Sequence, residues 1–305
     1  NSDVKAAAVE SGNKLTGNDS TVEEKSDYDE YQKDKDTYLY RMTYNIKEDN
    51  ADTTKKAVVP KGAEVLLESR YPYLDDSQIR YILYSTAVSS GYSVLDDAEG
   101  WGRLNLFEAA NGYGAFDTNV TVNMDASKGG FNVADNWKND ISGTGSLTKE
   151  GSGMLVLSGN NSYTGNTIVD GGSIRADYAS AFGNSSIVNN SVINENTDDT
   201  LIINGNYKQN KSGVLELTIS NENDYVDITG NAELGGKLVL NFKDYIPSTD
   251  AEIIKCASVA SQFDEIEINA PEGFEGKIAY NDNGVDLVFS QKTDNNTAQN
   301  EISSP

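Results

Sequence analysis

Residues 143–176 read GTGSLTKEGSGMLVLSGNNSYTGNTIVDGGSIRA, and the fold is decided there. Short apolar runs at Met154–Leu157, Ile168–Val169 and Ile174 are each fenced by Gly, Asn, Ser or Thr. The runs are too short for helices, and the glycines and asparagines around them suit turns that need positive φ. These turns recur too often for long hairpins. Stacked coils, each with two or three short strands and corners of Gly, Asn or Asp, explain the rhythm.

The same spacing carries a family resemblance. Lys149, Gly151, Gly153, Leu155, Leu157, Gly159, Asn161, Tyr163, Gly165, Thr167, Gly171 and Gly172, with Ile174 in place of a leucine, resemble the passenger-associated strand repeat of bacterial autotransporters. The match covers about a tenth of the chain. It implies a mainly β fold, a right-handed parallel β-helix (solenoid) with a small α-helical N-terminal segment. It also implies export through the periplasm and outer membrane of a Gram-negative bacterium, with an outer-membrane translocator barrel as partner.

Composition narrows the function. Across 305 residues, 24 Lys and Arg face 48 Asp and Glu, a net charge of −24. Such a surface repels nucleic acid and anionic membranes and suits a chain kept soluble outside a cell. There is no histidine. That removes Ser/His/Asp and Cys/His nucleophilic machinery, imidazole zinc sites and the commonest general base. Cys256, the single cysteine, follows an apolar strand-like run and reads as a small buried hydrophobe. No signal peptide opens the chain at Asn1-Ser2-Asp3, and no apolar run reaches membrane-spanning length.

Four segments are expected. Residues 1–57 form a polar tail followed by a Tyr-rich helix, with Tyr28, Tyr31, Tyr38 and Met42 on one face. Residues 58–112 form a small helical cap or linker. Ala63–Glu68 is amphipathic and stops before Tyr71-Pro72. Asp75 and Gln78 form a capping box for a helix running toward Ala87, and Asn105 with Glu108 repeats that signature before Gly112. Residues 113–290 are β throughout, roughly nine coils of about 20 residues stacking to about 40–45 Å. Residues 291–305 are a disordered tail. The helical block is placed to cover one open end of the solenoid.

Within the β region, Asn189-Asn190, Asn204-Gly205 and Lys211-Ser212-Gly213 read as corners. Leu215, Leu217 and Ile219, like Val226 and Ile228, share one inward parity. Residues 224–240 resemble the final autochaperone coils of passengers, a C-terminal cap that templates the coils above it. Asn283-Gly284 is a hairpin turn signal.

A second resemblance lies upstream. Arg70–Leu74, Thr86–Val88 and Asp96–Asn105, continued by residues 113–116 and 124–131, look like the post-catalytic region of autotransporter-type acid phosphatases of the type 2 phosphatidic-acid phosphatase family. The Pro-x-Leu, Thr-Ala and Gly-Trp-Gly series also resembles the last helices of subtilisin-like proteases, some exported the same way. The phosphatase comparison covers the longer run and is preferred. Each family implies a histidine-dependent active site, which this chain does not supply.

No residue is therefore assigned as catalytic, cofactor-binding or metal-binding. Asp198-Asp199 and Asn221–Asp224 fit no calcium motif and read as solvated corners. No acidic pair stands out for glycoside cleavage. Tyrosines with partly exposed Trp101 and Trp137 are candidates for a shallow face that takes glycans or a host protein. The leading reading is a non-catalytic, surface-exposed or secreted passenger stalk that displays an N-terminal module, templates its own folding and is open to an adhesive role. The rival is the non-catalytic C-terminal part of an exported acid phosphatase.

Overall fold

Hydrogen bonds between residues 20 apart set the period of the molecule. Asn161 Oδ1 accepts from the Ile141 amide at 2.8 Å, and Asn161 Nδ2 donates to the Ala181 carbonyl at 2.7 Å, each 20 residues away. Ser180 to Asn160, Asn190 to Asp170 and Asn204 to Asn184 repeat that offset. One coil of chain thus returns to the same place every 20 residues, and the side chains at its corners stack. The structure is a computed structural model and describes residues 61–88, 101–247 and 250–291. The expected Tyr28/Tyr31/Tyr38/Met42 stripe, the Asp96–Gly100 part of the phosphatase-like run and the tail after Gln291 lie outside the described residues.

Among the described residues three α-helices come first: α1 (Lys61–Arg70), α2 (Asp76–Ser85) and α3 (Leu106–Ala109). The Asp75 capping box forms as the spacing requires. Asp75 Oδ1 accepts from the Gln78 amide at 2.9 Å, and Gln78 Oε1 accepts from the Asp75 amide at 3.0 Å. At α3, Asn105 Oδ1 accepts from the Glu108 amide at 3.3 Å, and Gly112 at φ +113° turns the chain away.

Strands follow in short pieces. Among the described residues β1 (Ala115–Phe116) pairs with β4 (Ser142–Gly143) alone. One long sheet stacks β2 (Val120–Asn123), β5 (Leu147–Glu150), β7 (Thr167–Val169), β9 (Ile187–Asn189), β12 (Tyr207–Gln209), β14 (Val226–Glu233) and β16 (Ala251–Val259), all parallel. The facing sheet stacks β3 (Ala134–Trp137), β6 (Met154–Leu157), β8 (Ser173–Ala176), β10 (Val192–Glu195), β13 (Val214–Ile219), β15 (Lys237–Phe242) and β17 (Glu265–Asn269), also parallel. β11 (Leu201–Ile203) pairs with the first half of β14. The fold is a parallel β-solenoid, as the repeat implied.

The coil count is corrected. Each sheet has seven parallel rungs, not nine, so six spacings of about 4.8 Å give a stack of about 29 Å. Two causes are visible. First, later coils lengthen: Lys208 reaches Glu233 across 25 residues and Ser258 reaches Asn231 across 27. There β14 runs through the corner, with a register shift between Ile228 and Asn231, and pairs with both β11 and β12. Second, the last segment is no coil. β18 (Phe274–Asn281) and β19 (Gly284–Gln291) form an antiparallel hairpin laid on β16, which closes the long sheet. Its loop is Asp282-Asn283, one residue before the expected Asn-Gly turn, and neither residue has positive φ. Gly284 is needed for another reason: a Cβ there would land on the Ile254 carbonyl of β16.

Inward parity runs as the alternation required. Leu215, Leu217, Ile219, Val226 and Ile228 are all buried. One hydrophobic cluster runs from Ala63 and Leu67 in α1 to Leu287 in β19, so cap and solenoid share a core. Cys256 is buried in it, and burial pushes its thiol pKa up.

Candidate functional site

The junction between cap and first rung is held by a dense set of side-chain bonds. α1 ends at Arg70, where Tyr71-Pro72 breaks the helix and the side chains of Arg70 and Tyr73 turn onto Asp135 at the solenoid end. Arg70 Nη1 donates to Asp135 Oδ2 of β3 at 2.5 Å, and Arg70 Nε donates to the Ala110 carbonyl at 3.1 Å. The guanidinium also lies over the rings of Tyr71 and Phe131, 4.6 and 4.2 Å from their centroids. Tyr73 donates its hydroxyl to the same Asp135 oxygen and accepts from Trp137 Nε1 at 3.0 Å. Burial and the Asp135 charge hold the Tyr73 phenol well above its usual pKa, so it stays a donor. Tyr71 donates to the Ala109 carbonyl at 2.7 Å.

Beneath this network, Tyr113 packs tilted against Trp137 at 5.1 Å and Phe116 edge-on against Tyr163 at 5.1 Å, a run of rings that continues into the coils. The cap also covers backbone. Gln78 Nε2 donates to the Thr121 carbonyl of β2 at 2.7 Å, and the Asn111 carbonyl accepts from the Lys138 amide at 2.8 Å. The exposed edge of the first rung is thereby blunted.

The interior has its own polar constellation, and it explains the repeat signature. Lys149 is fully buried and points into the solenoid, where Nζ donates to the Glu150 carbonyl at 2.6 Å and the Gly171 carbonyl at 3.2 Å. Two and three rungs on, Asn189 and Gln209 occupy the same register column and do the same work. Asn189 Nδ2 donates to the Val214 carbonyl at 2.9 Å, and Gln209 Nε2 to the Gly235 and Lys237 carbonyls at 2.7 and 2.9 Å. The tight glycine corners leave carbonyls facing inward, and each needs a donor. Desolvation lowers the Lys149 pKa to about 8. Tyr163, Thr167 and Ser185 form a second buried chain, at 2.8 and 3.0 Å.

Glu195 was not singled out by the sequence, although it shares the inward parity of Ile193. It is 3% exposed at the end of β10. Oε1 accepts from the Thr197 amide at 2.6 Å and Oε2 from the Thr218 amide at 3.2 Å, joining adjacent coils. Burial raises its pKa from 4.5 to about 7 against these two donors, with the charge on buried Asp224 adding to the rise. The folded chain thus keeps a proton that the unfolded chain releases. The resulting stability is complete below about pH 4.5 and is lost as pH rises through 7. Urea unfolding at pH 5 and pH 8 is expected to show wild type losing up to about 3 kcal/mol across that interval through this group. Glu195→Gln should remove that part of the slope; identical pH dependence in the two proteins would refute the assignment.

Other candidates resolve into structure. Asp224 is buried and accepts from the Ser220 and Asn221 amides, organising the corner rather than facing solvent. Asp198 offers its carbonyl to Asn221 Nδ2 at 3.0 Å. Among the described residues no three His, Cys, Asp or Glu side chains converge as metal ligands. The aromatic face is corrected at Trp137, which is fully buried because it is a core ring of the first rung; Trp101 is partly exposed, as expected, and stacks on Tyr84 at 5.4 Å. Among the described residues Tyr178 is the exposed aromatic side chain. A broad open hollow of about 370 Å³ lies beside Ser85, Glu108 and Asn139, without a converging catalytic set.

Coil geometry and buried signature residues fit one class: the solenoid is similar to an autotransporter passenger region, and the comparisons with known proteins support that reading. The passenger-associated-transport-repeat model matches residues 147–176, the stretch whose Lys149, Asn161, Tyr163 and Thr167 are bonded inside the coils. The chain is similar to the Neisserial autotransporter lipoprotein NalP of Neisseria meningitidis, 35% identical over 194 residues, which is 61% of this chain and 17% of that protein. It is similar to an extracellular serine protease of Serratia marcescens, 33% identical over 147 residues, 38% of this chain and 14% of the relative. It also resembles the serotype-specific antigen 1 of Mannheimia haemolytica, 36% identical over 98 residues, 32% of this chain and 10% of that antigen. The chain spans about a sixth of the length of the first of these relatives. Passenger regions of this class are exported to the surface or surroundings of Gram-negative bacteria. The acid-phosphatase resemblance is not confirmed by these relatives, whose names include extracellular serine proteases.

Proposed function

We propose that this chain is a non-catalytic passenger stalk. Residues 58–112 would cap a solenoid formed by residues 113–290, which carries whatever module precedes it. The observation that supports this most directly is the single core shared by cap and coils, tied by the Arg70–Asp135–Tyr73 network. Such a joint fixes the orientation of the cap on the stalk. The β18–β19 hairpin closes the C-terminal end of the long sheet and gives the coils above it a template, the part expected of an autochaperone. An outer-membrane translocator barrel is the partner this reading requires.

Non-catalytic status rests on the sequence. Without histidine, the chain cannot assemble a Ser-His-Asp triad of its own or a phosphohistidine site, whatever the longer relatives do. Purified 305-residue chain is expected to hydrolyse neither p-nitrophenyl phosphate nor casein above a heat-inactivated control. Turnover that titrates with the folded protein would overturn the reading. Export proceeds in parallel with this and is tested separately, by fusing the chain to a translocator barrel and asking for protease-accessible protein on intact cells.

A further inference from the structure

The two sheets end differently. The long sheet is closed by the β18–β19 hairpin, but the facing sheet stops at β17, whose outer edge has no strand partner among the described residues. One inward column of that sheet runs in register through Leu155, Ile174, Ile193, Leu215, Leu238 and Ile266. The first five are at most 1% exposed; Ile266 is 40% exposed. Its inward neighbour Ile268 lies against Gly276 of the hairpin, so the cover stops one pleat short.

The outer face of the same sheet tells the same story. Asn194 Nδ2 donates to Glu216 Oε2 at 3.0 Å, Asn241 Nδ2 to Glu216 Oε1 at 2.8 Å, and Asn269 Nδ2 to Asn241 Oδ1 at 2.7 Å. This ladder climbs four rungs and finishes on β17. Backbone, core column and side-chain ladder are thus all open at one edge.

We propose that the β17 edge is a docking site for a β-strand of another protein, one with aliphatic residues at alternate inward positions and a lysine or arginine outward. Charge selects the occupant. Glu265 and Glu267 stand on the outer face with side chains 66% and 45% exposed. The strand already paired to β17 from below shows what complements them. β15 sets Leu238 and Leu240 inward, and Lys237 Nζ reaches Glu265 at 2.8 Å and Glu267 at 2.7 Å. A second copy of β17 would instead set these glutamates against their equals, which disfavours pairing between copies. Residues 292–305 carry Ile302 as their one large apolar side chain and lack the alternation. A foreign strand patterned like β15, added by main-chain hydrogen bonds with pockets for alternate side chains, meets both the apolar and the charge requirement.

The test uses the full 305-residue chain and a fluorescein-labelled peptide with the sequence of residues 235–243, GGKLVLNFK. Fluorescence anisotropy is expected to show saturable binding. Ile266→Asp and Glu267→Lys in the protein, or glutamate in place of the first peptide lysine, should each weaken it at least tenfold. Unchanged urea midpoints in both protein variants would show that the fold is intact. Absence of saturation at millimolar peptide overturns the proposal, as does binding indifferent to these substitutions. Sedimentation showing dimers of the chain that are lost in Ile266→Asp would give the edge to a second copy and equally overturn it.

Discussion

Asp135→Ala is expected to detach the helical cap from the solenoid. The carboxylate is 1% exposed as a side chain and takes both the Arg70 guanidinium and the Tyr73 hydroxyl. Its loss leaves a largely buried cation and a buried phenol without their acceptor, a change that typically costs about 3–5 kcal/mol. The readout is built in. Trp137 lies at this joint and Trp101 stacks on Tyr84 of the cap, so tryptophan fluorescence during urea unfolding follows the cap. The transition should move to lower urea by an amount equivalent to about 3 kcal/mol. Arg70→Ala combined with Asp135→Ala should cost less than the two single losses added, because the buried cation leaves with its partner. A loss below about 1 kcal/mol for Asp135→Ala, in the range of exposed ion pairs, would show that the network contributes little to docking.

Gly159→Ala is expected to be nearly as damaging, through the backbone. A Cβ at Gly159 would land on the Asn139 carbonyl and lie 3.1 Å from Asn161 Oδ1. No rotamer relieves a clash with backbone, so neighbouring coils must part. The Asn161 bonds to Ile141 and Ala181 weaken as they do. Overpacking and lost buried hydrogen bonds together place the loss at about 3 kcal/mol or more. Gly129→Ala is the control. Gly129 sits at φ +71° and ψ −175° with nothing within 4 Å of its would-be Cβ, so only backbone strain of about 1–3 kcal/mol opposes the change. Equal losses at the two sites, measured by urea unfolding, would mean that coil-to-coil contact is not what Gly159 protects.

The contrast between these glycines shows what was legible in sequence. Gly159, Asn161, Tyr163 and Thr167 announced a coiled fold because their spacing repeats locally, and short-range repetition is what a sequence displays. Helix α2 was equally readable, since Asp75 and Gln78 carry their own capping bonds. Asp135 gave no such sign. Its partner is 65 residues away, and nothing near either residue in the chain marks the pairing. Glu195 stood in between. Its parity with Ile193 put it indoors, yet only folding showed which amides it takes.

The coil count failed for a physical reason as well. A fixed period of 20 holds while each coil turns two tight corners. β14 removes one of those corners by running through it, so the later coils consume more chain for the same rise. The closing hairpin then looks, residue by residue, like one more pair of strands. Parallel and antiparallel pairing use the same alternation, and only the neighbour's direction tells them apart.

By itself the sequence determined that this chain is a mainly β solenoid with a helical lead, and that histidine-dependent chemistry is closed to it. Both follow from local facts: short apolar runs between glycine corners, and a residue type that is not there. Tertiary structure alone decided how the ends are treated, with the first rung riveted by Arg70, Tyr73 and Asp135 while the β17 edge takes no strand among the described residues. An end is defined by which distant segment reaches it, and that is settled when the chain packs.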